Sequence, residues 1–270
     1  MKYSIGEFAE MVGVTVDILR LYEKYGIINP KRDEQNNYRY YDDLDVRDLL
    51  MSRWYKSIQM SLQDVAVITK EPSKDSIIVK LEKIKEELQE EIKQKTMLLN
   101  KISQIHTEIE RIEASLYKCK KRNIPGIYRL RQTNKNILLQ DDFIIDIVDE
   151  WMDLLPYTFY SFSTDNNGVL SKEECLDYNW GLGISEEEIK NFNLRINDYV
   201  EYIPPRTCLS SVILAGHEQC LMRDSFQFMV DYIEKNNYSI NGDILGKIIF
   251  TEKIEGKKNS YLEVNIPIIE

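Results

Sequence analysis

The sequence has 270 residues, of which 43% are hydrophobic, and a formal net charge of −10. This length predicts about two domains with sizeable cores. No apolar run approaches the ~20 residues that a membrane-spanning helix needs, and the first residues lack a signal peptide's apolar block, so we expect a cytoplasmic protein without membrane contact. The cysteines at 119, 175, 208 and 220 form no CxxC pair, which argues against a zinc ribbon or a disulfide framework and favours small buried thiols.

The negative charge is unevenly distributed along the chain. Residues 1–72 carry a net charge of −2, residues 73–122 carry +3, and residues 123–270 carry −11. Because the acidity belongs mostly to the C-terminal part, the total charge does not exclude DNA binding at the N-terminus.

The N-terminal segment, 1–72, begins with two short predicted helices. Ser4 and Glu7 have the spacing of a capping box, and Gly13 is placed to end the first helix. Val14 and Thr15 then open a second helix. Two short helices joined by a turn containing glycine are typical of a helix-turn-helix, although such pairs also occur in ordinary bundles.

The stretch NNYRYYDDLDVRD, residues 36–48, combines arginines, tyrosines and aspartates. Its first half offers an arginine and tyrosine hydroxyls suited to phosphate contacts. Its second half predicts the start of a helix, where Asp42, Asp43 and Asp45 are favoured by the positive helix end.

The middle segment, 73–122, has a heptad pattern. Two rows of residues, starting at Ile77 and Leu81 and repeating every seven, alternate by four and three, and ten of the twelve positions are apolar. With no glycine or proline between Ser73 and Ile124, we expect one helix over about 76–120 that pairs with a copy of itself. The alternative is packing on its own domain. The predicted dimer contacts are Leu81, Ile84, Leu88, Leu98, Ile102, Ile105, Ile109, Ile112 and Leu116.

The C-terminal segment, 123–270, alternates strand-like and helical runs. IYRLRQ, PYTFYSFS, CLDYNWGLGI, CLSSVILAG, ILGKIIFTEK and YLEVNIPII are rich in β-branched and aromatic residues. DDFIIDIVDEWMDLL and EQCLMRDSFQFMVDYIEKNN are helical candidates, and Ser185 with Glu188 forms a further capping box. The order predicts one α+β domain of two similar halves.

The runs VTVDILRLYEKYGIINPKR, NNYRYY and LLMSRWYKSIQMSLQDV resemble the DNA-binding domain of the MerR family of bacterial transcription regulators. The resemblance implies a winged helix-turn-helix over 1–72 and an antiparallel dimerisation helix over 73–122. It also implies binding to double-stranded promoter DNA and activation by distorting an overlong promoter spacer for RNA polymerase. The sequence departs from the family at Asn37 and Gln59, where glycine is common.

The resemblance also implies which side chains reach DNA. Single arginines are more often solvated or salt-bridged, but motif position favours a DNA role for Arg20 and Arg39. The predicted DNA-binding residues are Thr15, Asp17, Ile18, Arg20, Tyr22, Lys24, Arg32, Tyr38, Arg39, Tyr40 and Lys56.

The C-terminal runs IPGIYRLRQ, YIPPRTCLSSVILAGHE, ILGKIIFTEK and YLEVNIPI resemble the GyrI-like effector-binding domain of multidrug-responsive members. The resemblance implies a cleft between the two halves that takes lipophilic, often cationic, effectors. One of the two acidic residues that drug-binding members often carry corresponds to Phe250 in this sequence, or to Glu252 if the alignment is shifted by two residues. For each aromatic candidate core packing is as compatible with the sequence as effector contact, and for Glu263 so is an exposed structural role. The predicted effector-binding residues are Tyr157, Tyr160, Phe162, Tyr178, Trp180, Phe226, Phe250 and Glu263.

Two other functions stay open at this level. Some GyrI-like relatives hydrolyse small molecules, and Glu263 with a nearby tyrosine has the chemistry of a general base and a polarising donor. Alternatively, the regulator senses no small molecule. Metal-sensing members need thiolates or imidazoles at the ends of the dimerisation helix, where only Cys119 stands. We therefore expect no metal. For a transcription regulator we also expect no cofactor and no enzymatic activity.

Overall fold

A computed structural model describes residues 2–33, 38–134, 137–140, 142–170, 174–192, 194–216 and 221–270. The chain divides into two units, Met1–Met97 and Leu98–Glu270. Asn37 and Cys220 lie outside the described residues. In the described part of the chain, no helix has the length and apolar character needed to cross a membrane.

The first unit is helical with a small two-stranded sheet. Its elements are α1 (Ile5–Val12), α2 (Val16–Tyr25), β1 (Lys31–Arg32), β2 (Arg39–Tyr40), α3 (Asp43–Ser57), α4 (Leu62–Lys70) and the first part of α5 (Lys74–Glu110). The pair β1–β2 is antiparallel, with Arg32 opposite Arg39. This is the predicted arrangement of a helix-turn-helix with a wing.

Local signals set the ends of α1 and α2. Ser4 accepts a hydrogen bond from the Glu7 amide while the Glu7 carboxylate accepts one from the Ser4 amide, so the predicted capping box is confirmed. Gly13 ends α1 with φ of 63°, a left-handed conformation that glycine adopts without strain. Thr15 caps α2 by accepting from the Ile18 amide at 3.3 Å.

The long helix α5 is shorter than predicted. It ends at Glu110, after which a short helix, α6 (Ile112–Ser115), and the bridge from Leu116 to Val212 follow. Ile112 is only 4% exposed, and burying such a side chain contributes roughly 1.5–3 kcal/mol. Tertiary packing of residues 112–116 therefore overrides the local preference for an uninterrupted helix.

The second unit is built on one large sheet. Besides the end of α5 and α6 it contains the helices α7 (Asp142–Met152), α8 (Asn166–Leu170) and α9 (Gln227–Lys235). Its strands are β3 (Lys120–Ile124), β4 (Ile127–Arg131), β5 (Thr133–Asn134), β6 (Ile137–Leu138), β7 (Phe159–Thr164), β8 (Cys175–Leu176), β9 (Tyr178–Ser185), β10 (Val200–Ile203), β11 (Arg206–Gly216), β12 (Leu221–Met222), β13 (Ser239–Ile240), β14 (Ile244–Ile254) and β15 (Lys257–Ile269).

The main sheet has two similar halves, as predicted. Its order over the described ranges is β10-β4-β9-β7-β14-β15-β11-β3, with β13 paired to β15. The first half is β4, α7, β7 and β9, and the second is β11, α9, β14 and β15. The halves meet where β7 pairs with β14, between Ser161–Thr164 and Ile244–Lys247.

Alternation along the strands gives this sheet two different faces. One face carries Leu130, Leu182 and Val264 in the hydrophobic clusters that include residues of α7 and α9. The other face carries polar side chains, among them Arg129, Ser161, Ser210 and Asn265, all of which are buried. Buried polar groups need partners, so this second face is a candidate for a binding site.

The cysteines differ from the expectation of small thiols at one position. Cys119 and Cys208 are free, whereas Cys175 is disulfide-bonded. Widely spaced cysteines gave no signal for this bond.

Candidate functional site

The start of α2 is exposed as a recognition helix requires. Asp17 and Arg20 are exposed and joined by an ion pair of 3.3 Å, and Ile18 is 39% exposed. An exposed surface pair is worth little, since solvent screens it. Losing the ion pair with Asp17 would therefore cost little free energy if Arg20 contacted a phosphate instead.

The wing is tied to α2 by a carboxylate, a contact that the sequence did not predict. Glu23 of α2 accepts a hydrogen bond from the Tyr41 hydroxyl and lies 3.6 Å from the guanidinium of Arg39. Burial, followed by the bond to Glu23, raises the pKa of Tyr41 well above its usual value, so the phenol stays a donor. This arrangement fixes Arg39 of the wing beside the recognition helix.

The other predicted DNA-binding residues differ in exposure. Tyr22 is only 6% exposed and packs in the core of the unit, and burial raises its pKa. The ring therefore helps to hold the unit together, and the expected position of Tyr22 beside the DNA backbone stays a prediction. Tyr40 lies under the ammonium of Lys2, 4.3 Å from its ring centroid, and Lys56 donates to the Met60 carbonyl at 2.8 Å. The remaining predicted residues, Thr15, Lys24, Arg32 and Tyr38, are exposed.

The aspartates after the wing open α3, as predicted. Asp42 accepts from the amides of Leu44 and Asp45, and Asp45 reciprocates to the Asp42 amide at 2.8 Å. Lys31 of the wing donates to Asp42 at 2.7 Å, and this bond is the largest cause that lowers the pKa of Asp42. The stretch thus joins the wing to the next helix.

Gln59, one of the two departures from the MerR pattern, sits in left-handed backbone. Its φ is 69°, a conformation that disfavours side chains with a Cβ by roughly 1–2 kcal/mol. The loop keeps the conformation that a glycine would adopt there, although the residue is glutamine.

A large cavity lies on the polar face of the main sheet, between the sheet and the last turns of α5. Its volume is about 880 Å³, within the range of small-molecule sites. Apolar residues lining it include Ile105, Ile112, Ile127, Phe159, Val212 and Ile249. Charged residues lining it include Lys101, Glu108, Arg122, Glu188, Lys247 and Glu263.

Two ion pairs hold α5 over this cavity. Lys101 donates to Glu188 at 2.6 Å, and Lys247 of β14 donates to Glu108 at 2.5 Å. All four side chains are at most about a third exposed, so solvent screens these pairs less than surface pairs. The Glu188 amide donates to the Ser185 hydroxyl at 3.1 Å, and that hydroxyl donates to the Glu188 carboxylate at 3.2 Å, so Ser185 caps this turn without the reciprocal amide bond of the predicted capping box among these contacts.

Glu263 lines the cavity, as predicted, but its carboxylate is already partnered. It accepts from the Asn265 amide at 3.0 Å and lies 3.6 Å from Arg122, while Ser210 donates to Asn265 at 2.6 Å. The residue opposite Glu263 on β14 is Lys247. Among the described residues, no tyrosine lines the cavity, so the pair of Glu263 with a tyrosine expected for hydrolysis is not assembled there.

The predicted aromatic residues do not line the cavity. Phe162 and Phe226 are buried in the core on the helix-bearing face, and Tyr178 and Trp180 pack against that core. Aromatic side chains contribute much apolar area, and here that area stabilises the domain. Tyr160 stacks against Trp180 and Phe250 against Tyr261, while Tyr157 packs against Phe192 in a tilted arrangement.

The register of β14 explains where Phe250 and Glu252 lie. A bulge at Ile249 places Phe250 opposite Tyr261. Ile249 itself lines the cavity, as do Leu245 and Lys247 at alternate positions of the same strand. Glu252 accepts from the Tyr261 hydroxyl at 2.6 Å and does not line the cavity. Neither Phe250 nor Glu252 therefore gives the cavity the second acidic residue that the GyrI-like resemblance implies.

The residues of the predicted heptad seam differ in burial and in what they pack against. Leu81 and Ile84 pack on the core of the first unit, Leu98 and Ile105 are half-buried, and Ile112 is buried. Leu116 is half-buried at its bridge to Val212. From Leu88 onward, the exposed apolar residues of α5, together with Lys95 and His106, are spaced alternately by four and three. They form the exposed stripe of α5: Leu88, Ile92, Leu99, Ile102 and Ile109.

Comparison with known proteins agrees with the geometry of the first unit. Residues 3–71 match the family described as MerR HTH family regulatory protein. Residues 3–71 form a MerR-type domain. The transcriptional activator TipA of Streptomyces coelicolor is 32% identical to the chain over 75 residues, which are 28% of this chain and 30% of TipA. The match thus spans about a third of that relative.

Two similarities extend beyond the MerR-type domain. The multidrug-efflux transporter 2 regulator of Bacillus subtilis is 19% identical over 99% of this chain and 97% of its own length. The structural match to EcmrR in a cryo-EM structure of its DNA complex covers 99% of this chain and all of the EcmrR chain, with 17% identity and a TM-score of 0.37.

Sequence reasoning missed several residues that organise these sites. In the MerR-type domain, Glu23 joins the wing to α2, and no local pattern marks such a long-range pair. In the second unit, Lys101 and Glu188 are 87 positions apart and meet only through the fold.

Proposed function

We propose that the chain is a ligand-responsive transcription regulator of the bacterial cytoplasm that binds double-stranded promoter DNA as a homodimer. The observation that carries the proposal is the dual use of α5. Its first turns pack on the MerR-type domain through Ile77, Leu81 and Ile84, and its last turns cover the large cavity. A ligand in the cavity would contact the same helix that continues into the DNA-binding unit.

The exposed stripe of α5 supports the homodimer. A stripe repeating by four and three is the seam of a two-stranded coiled coil, and residues 88–109 supply about 30 Å of it at ~1.5 Å per residue. None of the stripe residues lines the cavity, so pairing and ligand binding use different sides of the helix. We propose an antiparallel pair of α5 helices.

The activation mechanism we propose is promoter distortion. Bending and untwisting a promoter spacer costs on the order of 1–6 kcal/mol. An effector can supply that energy only by binding one dimer conformation more tightly than the other. The ion pairs Lys101–Glu188 and Lys247–Glu108 are the contacts that a ligand in the cavity would rearrange, and RNA polymerase would then engage the distorted promoter.

The second unit acts in this proposal as a GyrI-like effector-binding domain. Its two similar halves and its cavity on the polar face of the sheet support that role. The cavity lining mixes apolar residues such as Ile105, Phe159 and Ile249 with charged ones. A small organic effector with an apolar body suits this lining.

Selection from random duplexes followed by transcription tests the function as a whole. The full chain is expected to enrich an inverted repeat, and RNA polymerase holoenzyme on a promoter carrying it is expected to respond to a ligand. Three probes cover the charge classes: tetraphenylphosphonium, 1-naphthol and 1-naphthoate. A bound probe that leaves transcription unchanged would contradict the coupling.

Filling the cavity tests the place of the effector. Ile249→Trp should weaken binding of any responsive probe at least tenfold by calorimetry, because the indole occupies the cavity. Trp180→Phe is the matched control, since Trp180 packs on the opposite, helix-bearing face. If Trp180→Phe weakens binding and Ile249→Trp does not, the effector lies elsewhere.

A further inference from the structure

A second cavity on the polar face of the main sheet is built around a buried arginine. Its volume is about 280 Å³, and its charged lining residues are Arg129, Arg131, Glu201, Arg206 and Asp243. Ser163 and Asn179 add neutral polar groups. The cavity is small and polar, unlike the large one under α5.

Arg129 is 1% exposed, yet its hydrogen-bond partners are all neutral. Its Nε donates to the Ser161 hydroxyl at 3.0 Å, and Nη2 donates to the Asn179 carbonyl at 3.2 Å and to Asn179 Oδ1 at 2.6 Å. Within the part of the chain that the structure describes, Nη1 makes no hydrogen bond and no carboxylate lies within 4.0 Å of the guanidinium.

A guanidinium in this position is a buried charge without an opposite charge in contact. Burial is the largest cause that lowers the pKa of Arg129, to about 10, and the nearby Arg131 lowers it further, whereas Glu201 acts in the opposite sense. At neutral pH the side chain therefore stays charged. A buried charge is expensive unless it is paired, so an anion entering the cavity would gain a strong charge-assisted contact.

The surrounding residues keep the field of this cavity positive. Arg131 is held by the Thr133 carbonyl at 2.9 Å and by Asn134 Oδ1 at 2.9 Å, again by neutral acceptors. Arg206 lines the cavity from β11, beside Gly242. Three arginines against the two carboxylates Glu201 and Asp243 leave a net charge of +1.

We propose that this cavity, the Arg129 site, binds a small oxyanion: a carboxylate or phosphate group, free or carried by a small ligand. Nε and Nη2 of Arg129 are already bonded, so Nη1 is the donor that Arg129 offers to either group, and Arg206 adds a second guanidinium to the lining. The proposal rests on the second unit alone and does not depend on DNA binding. Both cavities are lined by Leu245, so the site is adjacent to the large cavity.

Calorimetric titration of the full chain tests the Arg129 site. The probes are inorganic phosphate, acetate and succinate, at constant ionic strength set with choline chloride. At least one is expected to bind saturably, and Arg129→Gln should weaken that binding tenfold or more while keeping a side chain able to donate. Comparison of phosphate with the carboxylates identifies the preferred group.

Two further variants keep the test decisive. Arg206→Gln alters a partly exposed lining residue and should also weaken binding, even if Arg129→Gln fails to fold. Arg122→Gln, in the large cavity, should leave it unchanged. Absence of saturable binding, binding insensitive to both Arg129→Gln and Arg206→Gln, or loss only in Arg122→Gln would overturn the proposal.

Discussion

The MerR-type domain and the large sheet place their functional residues by different means. In the MerR-type domain, the recognition helix and the two strands of the wing lie within residues 15–40; Thr15 caps the helix, and Glu23 ties the wing to it. In the second unit, the cavity is lined by residues from α5, α6, β3, β4, β7, β9, β11, β14 and β15. The first site is short in sequence and begins at a local cap, whereas the second exists only after distant strands have paired.

The helix α5 lies between these two cases, and disrupting its exposed stripe has the largest expected effect. The double variant Leu99→Asp/Ile102→Asp should abolish the dimer, raising its dissociation constant more than about 100-fold, because each buried unpaired carboxylate costs several kcal/mol. Sedimentation of the full chain measures this. Asn100→Asp is the control, since Asn100 is exposed and outside the stripe. A dimer that survives the double variant would refute the proposed seam.

Removing the wing arginine tests the local site. Arg39→Ala should weaken operator binding by ~1–3 kcal/mol and reduce its salt dependence, because one phosphate contact is lost. Fluorescence anisotropy at several salt concentrations measures both quantities. Arg47→Ala serves as the control, since Arg47 lies on α3 in an exposed pair with Asp48. An equal loss in the two variants would show that the effect is general charge rather than the wing.

The cap of the recognition helix tests whether local signals fix that site. Thr15→Ala should lower the free energy of unfolding by about 1 kcal/mol, since the Ile18 amide loses its acceptor. Urea denaturation measures the change, and Thr15→Ser should restore most of it. Unchanged stability in Thr15→Ala would mean that tertiary packing alone holds the start of α2.

The smallest expected effect concerns the left-handed residue at the loop before α4. Gln59→Gly should stabilise the first unit by less than about 1 kcal/mol, because relief of the strain at φ of 69° exceeds the added flexibility of the unfolded chain. Thermal unfolding measures it. Ser57→Gly, at the end of α3, should instead destabilise. Stabilisation by both variants would point to another cause.

How much the sequence predicted follows the same division. The capping box at Ser4, the helix start at Asp42 and the two-halved sheet were predicted from local pattern or element order, and the wing was predicted from the resemblance to MerR regulators. The aromatic effector candidates do not line the large cavity, since aromatic side chains favour a core as much as a ligand site, and their contact with an effector stays a prediction. The side of a strand that faces a cavity depends on register, and the bulge at Ile249 gave no sequence signal.

The predicted heptad seam does not lie in one environment. Leu81, Ile84 and Ile112, taken from both rows, pack inside the chain, while the exposed stripe adds Ile92 and Leu99 to the predicted residues. Periodicity reports which residues share a face, and it does not report what covers that face.

Selection of binding sites from random DNA duplexes by the full chain tests the central claim most directly. The predicted result is enrichment of an inverted repeat whose binding is lost in the stripe variant Leu99→Asp/Ile102→Asp and weakened in Arg39→Ala. Enrichment of no sequence, or of an asymmetric site bound equally well by the stripe variant, would contradict a dimeric regulator built on α5.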